Sequence, residues 1–257
     1  MSTPNSRTLS ELDACVIGAT GGSGTRVVAR IVRAAGMYTG TDLNRYEDAL
    51  PFASFSDRWI NGYLASGRRP SNEDRQRMRD ELQSLVDDHL SHRPEDAVGW
   101  GWKEPRSIYL LPFLNEELPK LRYLHFVRDG RDMAFSENQQ QLKKHGAAVL
   151  DGRSRWRRRP YRSISLWARV NADAADYGER ELGDRYLRVR FEDLCARPGE
   201  TSRRILDFFG LEGDAEAIGA AEVKPPSTLA RWKTKGGRTV RTLERFGEPA
   251  LSRFGYR

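Results

Sequence analysis

Cysteine, histidine and lysine are all scarce in this chain. Its 257 residues include two cysteines and four histidines. Cys15 and Cys195 are isolated, with no metal-ligand spacing, which excludes a disulfide scaffold and a cysteine-built metal centre. Cys15 falls inside an apolar run and reads as a packing residue. No apolar stretch approaches the roughly 20 residues needed to cross a bilayer. The opening MSTPNSRTLSELDA has no hydrophobic signal region, so a cytoplasmic protein without a membrane span is expected. Seven lysines stand against thirty-six arginines, for a formal net charge of +7. That balance favours anionic ligands without choosing among nucleotides, acidic acceptors and nucleic acid. No Gly-Lys-Ser/Thr follows the glycine loop, which excludes a nucleoside-triphosphatase loop. No Tyr-x-x-x-Lys pair and no internal repeat occur.

What is present suits one globular domain with a heavily charged surface, since 38% of residues are hydrophobic and 31% charged. Residues 1–11 read as a flexible tail and 12–257 as a single domain. Asp13–Gly18 is a short apolar strand, followed by a glycine loop and a helix over Gly24–Ala35. Helices are expected at Pro51–Ala65, rich in aromatics, and at Asn72–His92, which has one apolar stripe and cap chemistry at Ser71. Then come a strand at Val98–Trp102, a helix at Ser107–Glu117, a strand at Leu121–Val127 and a helix from Arg131 to about Lys144. Ser163–Leu182 reads as helix, Tyr186–Phe191 as strand, and Thr201–Phe209 as a helix closed by Gly210. Such alternation predicts an α/β fold with a parallel sheet and ligands at the strands' carboxyl ends.

Two loops carry the chemistry. Gly18-Ala19-Thr20-Gly21-Gly22-Ser23-Gly24-Thr25-Arg26 joins a strand to a helix, the arrangement that cradles a phosphate in backbone amides. Its Gly-x-x-Gly-x-x-Gly spacing also fits NAD(P)-dependent reductases. A dinucleotide fold, however, needs a second apolar strand about 20 residues on, and Met37–Asn44 is too short and polar for a central one. Further along, LRYLHFVRDGRDMAFS ends a strand at Val127 and places Ser136 eight residues after Arg128. A guanidinium fork and a hydroxyl can grip one phosphate together. Two phosphate sites on one nucleotide are thus expected. The six arginines and tryptophan of Arg153–Arg162 read first as a solvated, partly disordered loop and second as a lid over an anionic ligand, with a nucleic-acid patch last.

With Trp102-Lys103-Glu104-Pro105-Arg106, YLRVRFEDLCARPGETSRRILDFFGL from Tyr186, and RWKTKGG from Arg231, these segments resemble the sulfotransferases, in particular bacterial carbohydrate and tyrosylprotein sulfotransferases, over roughly residues 13–237. The resemblance implies a P-loop-like three-layer fold and no metal. It implies 3′-phosphoadenosine 5′-phosphosulfate as donor, a hydroxyl of a carbohydrate or small molecule as acceptor, no nucleic-acid partner, and room for a homo-oligomer. By the same resemblance Gly21, Gly22, Ser23, Gly24, Thr25 and Arg26 hold the 5′-phosphosulfate, Arg128 and Ser136 the 3′-phosphate, and Arg231, Trp232 and Lys233 close over the nucleotide. Related loops commonly carry a cation near Gly22. Here none is present, which puts Lys103 first as the neutralising cation, with Arg26 and Lys233 behind it. A carboxylate after the first helix serves as general base in relatives; Asp48 is preferred, then Asp42, with Asn44 to orient the acceptor. Phe52, Phe55, Trp59 and Tyr63 suggest a wall for a sugar, though a half-buried helix has the same pattern. Phe191 stands where relatives often have tyrosine. A nucleotide-binding protein without catalysis is the alternative, and the reductase a weaker one.

Overall fold

The computed structural model describes residues 8–257, the side chain of Arg155 excepted. Five strands and twelve helices alternate along the described chain: β1 (Cys15–Ala19), α1 (Thr25–Ala34), β2 (Met37–Tyr38), α2 (Leu50–Ala65), α3 (Asn72–Ser91), β3 (Gly99–Lys103), α4 (Ser107–Glu117), β4 (Arg122–Val127), α5 (Gly130–Ala134), α6 (Gln140–Val149), α7 (Arg159–Tyr177), β5 (Tyr186–Arg190), α8 (Phe191–Ala196), α9 (Pro198–Phe209), α10 (Ala215–Glu222), α11 (Gly237–Gly247) and α12 (Ala250–Arg253). The strands form one parallel sheet in the order β2-β3-β1-β4-β5. Successive strand residues face opposite sides. Val16, Trp100, Trp102 and Tyr123 join the core under α2, α3, α4 and α7, while Ile17, Leu124, Phe126 and Val189 join the core under α1, α9 and α10. The result is the expected three-layer α/β fold.

Parallel pairing puts the carboxyl ends of β1, β3, β4 and β5 on one edge, so Ala19, Lys103, Val127 and Arg190 all lead into that edge. β2 is two residues long and pairs with β3 at the sheet's border. A dinucleotide fold would place its second strand beside β1, so this topology removes the basis for the reductase reading.

Three expectations change. The helix foreseen from Arg131 to Lys144 is two helices, broken over residues 135–139. Ser136 Oγ accepts from Asn138 N at 3.2 Å, Asn138 Oδ1 accepts from Gln140 N at 3.2 Å, and Gln139 Nε2 donates to the carbonyls of Met133 and Ser136. These side-chain bonds replace the helical ladder. The arginine-rich stretch contains a 3-10 turn at Ser154–Trp156 and enters α7 at Arg159; Trp156 is 91% exposed. Third, Phe52, Phe55 and Tyr63 are buried in the core and Trp59 packs against it, donating Nε1–H to Glu81 at 2.8 Å. They form no acceptor wall, because α2 turns its aromatic face to the sheet. Of the expected tail, residues 1–7 lie outside the described residues, whereas Leu9–Glu11 form a 3-10 turn with Leu9 buried. No helix of the described residues is long and apolar enough to cross a membrane.

Candidate active site

The glycine loop leaves β1 and is fixed from beneath. Ser23 Oγ donates to the Thr20 carbonyl at 2.7 Å, and Asn171 Nδ2 reaches Thr20 Oγ1 at 3.4 Å. Asn171 Oδ1 in turn meets His125 Nε2 at 2.8 Å, tying the loop to β4. Gly22 and Gly24 both have φ of 88°, open to glycine at little cost. A Cβ on Gly24 would lie 2.9 Å from the Phe191 ring. Among the described residues no turn bond uses the backbone N–H of Gly21, Gly22, Ser23 or Gly24. Those amides, with the first N–H groups of α1, remain available to an anion.

One side of the loop opens on a cleft of about 640 Å³. Gly21, Gly22, Gly24, Thr25 and Arg26 line it, together with Asn44, Tyr46, Asp48, Lys103, Arg106 and Lys144. The bonds Ala19 N to Pro105 O at 2.9 Å and Ala49 N to Lys103 O at 3.0 Å draw the ends of β1 and β3 and the 41–49 segment together. Lys103 is 1% exposed; its Nζ donates to Tyr46 O at 2.7 Å and to Asp48 Oδ1. Burial lowers the Lys103 pKa and the Asp48 charge opposes that shift. Asn44 holds the carboxylate's other oxygen, Nδ2 to Oδ2 at 3.0 Å, while its own Oδ1 accepts the amides of Tyr46 and Asp48. Asp48 therefore sits between a cation and an amide at the edge of the cleft, with 18% of its side chain exposed. Glu104 is buried, which raises its pKa, and accepts from Arg106 Nε at 2.8 Å and Ser56 Oγ at 3.0 Å. Asp42 is exposed and lies outside the cleft lining. Glu47 is spent on Arg30 and Arg33 of α1.

Across the loop lies the second group of expected residues. Ser136 Oγ is the neighbour that a Cβ on Gly22 would meet at 3.3 Å. Arg128 is 5% exposed and stacks its guanidinium 4.7 Å from the Phe191 ring centroid. Its Nη2 donates to Thr228 O at 3.0 Å and pairs with Asp132 at 3.3 Å, while its Nε is buried with no partner among the described residues. Arg231 reaches the same carbonyl, Nε to Thr228 O at 3.2 Å, and burial followed by the Arg128 charge lowers its pKa. Trp232 lies under the Arg131 guanidinium at 3.7 Å, with Lys233 Nζ 5.9 Å away. An unpaired buried guanidine nitrogen and a loop of unspent amides are features that a nucleotide with phosphate at both ends would satisfy. The histidines are structural: His89, His125 and His145 are buried, with pKa values pushed down to about 4 by burial.

Sequence reading brought out Lys103, Asp48, Asn44 and the glycine loop but not the roles of Tyr46, which acts through its main-chain oxygen, and Thr228, which acts through its carbonyl and hydroxyl about a hundred residues from Arg128. Among the described residues no group of three or more potential metal ligands forms.

The profile of the sulfotransferase family matches residues 21–215. Among solved structures, the sulfotransferase domain from the curacin biosynthetic pathway is similar at 13% identity and a TM-score of 0.57, covering 96% of this chain and 99% of that one. A sulfotransferase from Mycobacterium avium has 12% identity and a TM-score of 0.56, covering 94% and 76%. The sulfotransferase domain of the Synechococcus PCC 7002 olefin synthase has 16% identity and a TM-score of 0.53, covering 91% and 94%. No curated protein sequence matches the chain.

Proposed function

The chain belongs to the sulfotransferase family, and from that premise we propose that it moves a sulfuryl group from 3′-phosphoadenosine 5′-phosphosulfate to a hydroxyl of a carbohydrate or other small molecule. The observation that carries this reading is the contact of Lys103 Nζ with Asp48 in the same cleft as the glycine loop. The bound donor supplies the activated sulfuryl group and the nucleotide that leaves with the bond electrons. The loop amides of Gly21–Gly24 and the start of α1 hold its 5′ end. Lys103 has a third ammonium proton after its bonds to Tyr46 and Asp48, and directs it at the charge that builds on the leaving oxygen. Asp48 takes the acceptor's hydroxyl proton on its carboxylate while the acceptor oxygen attacks sulfur and the nucleotide's phosphate oxygen leaves, with Asn44 fixing the carboxylate's orientation.

Apart from Tyr46, the cleft's larger side chains are charged or amide-bearing: Arg26, Arg106, Lys144, Asn138 and Gln140. A flat apolar acceptor would strip water from them without replacing their hydrogen bonds, so a polyhydroxylated acceptor is the better fit. Free Cys15 and Cys195 accord with a reducing compartment, and a cytoplasmic location belongs to the same reading.

The test is incubation with sulfur-labelled donor and a panel of sugars and simple alcohols. Labelled sulfate ester with equimolar adenosine 3′,5′-bisphosphate is the expected result. Donor left intact across the panel, together with no binding of the bisphosphate, would overturn the proposal.

A further inference from the structure

Asp132 is 1% exposed, yet lines no cleft and is four residues from Arg128. Its carboxylate is used by another part of the chain altogether. Oδ2 accepts from Ala230 N at 2.8 Å and Oδ1 from Trp232 N at 3.1 Å, so one carboxylate clasps two amides of the segment before α11. Arg128 Nη2 completes the arrangement, 3.3 Å from Oδ2 and bonded to the Thr228 carbonyl and hydroxyl. Ala230 holds φ of 59°, a left-handed conformation unfavourable for a residue with a Cβ. The Arg131 guanidinium packs on Trp232 from α5.

We infer that Asp132 is a positioning residue for nucleotide recognition. It clasps the 228–232 strap and sets the Arg128 guanidinium, so that Arg128 Nε, buried and unpartnered, is presented to the 3′-phosphate. The inference rests on the donor reading of the site. A buried guanidinium N–H left without a partner is costly unless an acceptor answers it. The clasp explains how that cost is maintained: hydrogen bonds from two amides to one carboxylate fix the strap, the same carboxylate pairs with Arg128, and the strap's Thr228 holds Nη2 so that the guanidinium is kept in place. Asparagine at this position has one acceptor oxygen and presents an N–H2 to an amide and a guanidinium, so it cannot serve both ends of the clasp.

The experiment is calorimetric titration of the full chain with adenosine 3′,5′-bisphosphate and with 5′-AMP, for wild type, Asp132→Asn and Trp232→Ala. The readout is the ratio of the two dissociation constants, which a general loss of folded protein does not change. Asp132→Asn is expected to lower the preference for the bisphosphate about tenfold or more, the size of a charge-assisted hydrogen bond. Trp232→Ala loosens the strap from an only partly buried position, so it remains informative if the first variant does not fold; it is expected to reduce the same preference by a smaller factor. A preference kept within about threefold by both variants would overturn the clasp while leaving the donor reading standing. Absence of any preference in wild type would bring down both.

Discussion

The two halves of the site differ in how their charges are employed. On the β3 side, Lys103 and Asp48 border an open cleft of about 640 Å³, and each keeps bonding capacity for a ligand. On the β4 side, Arg128 and Asp132 are closed in by the 228–232 strap, and Arg128 Nη2 and both carboxylate oxygens of Asp132 are spent on the chain itself while Arg128 Nε has no partner among the described residues. An open half suits a step in which the acceptor enters and leaves. An interlocked half suits recognition of a constant feature, where preorganisation rather than adaptability sets affinity. Both halves meet at Phe191, which packs beneath Gly24 and carries the Arg128 guanidinium. The Phe191 ring is what these two contacts use.

The largest expected effect comes from breaking the open half. Lys103→Met removes the buried cation of the cleft while keeping the stem, and is expected to lower kcat for sulfuryl transfer about 10²- to 10³-fold with little change in bisphosphate affinity. A fall in affinity with kcat intact would move Lys103 from chemistry to binding. Asp48→Asn keeps the size of the side chain but cannot take a proton. A loss of about 10²-fold in kcat, with bisphosphate affinity kept, is expected from steady-state rates and titration.

Changes in the closed half sharpen the contrast. Arg128→Ala is expected to weaken adenosine 3′,5′-bisphosphate by about 10- to 100-fold and 5′-AMP by much less, read by the same titrations. Equal losses for both nucleotides would mean that Arg128 supports the fold rather than the phosphate.

The effect furthest from the chemistry concerns the histidines under each half. His89 bonds to Gly101 O of β3 at 2.9 Å, and His125 lies on β4 between Tyr186 OH and Asn171. Burial lowers each from 6.5 to about 4. Between those values the unfolded chain takes up protons that the folded chain refuses, so their contribution is full above about pH 6.5 and is lost as pH falls towards 4. Glu104 and Glu192, both raised by burial, act in the opposite sense. Substituting one histidine isolates its share: His89→Gln is expected to flatten the fall in urea-unfolding stability over that range by up to about 3 kcal/mol. An unchanged slope would show that His89 takes up its proton in the folded state.

Apart from the two-residue β2 and the short α8, which begins at Phe191, the order of strands and helices through Phe209 was legible because apolar period and glycine punctuation agree along β1, α1, β4 and α9. The break after Ala134 was not, since Ser136, Asn138 and Gln139 act through side-chain bonds to the backbone that a helical apolar pattern does not register. Within the site, Lys103 and Asp48 could be named from sequence, but their contact depends on the Ala49 N to Lys103 O bond between segments 54 residues apart. The aromatics of α2 misled for the converse reason: composition gives no sign of which face a helix buries. Asp132 could be read only as an ion-pair partner of Arg128, because its clasp on Ala230 and Trp232 spans about a hundred residues.

The central claim is that one nucleotide with phosphate at both ends bridges the two halves, and wild-type calorimetry tests it most directly. Adenosine 3′,5′-bisphosphate is expected to bind at least about tenfold more tightly than 5′-AMP, with no heat from NADPH. Equal binding of the bisphosphate and 5′-AMP, or binding of NADPH alone, would contradict it.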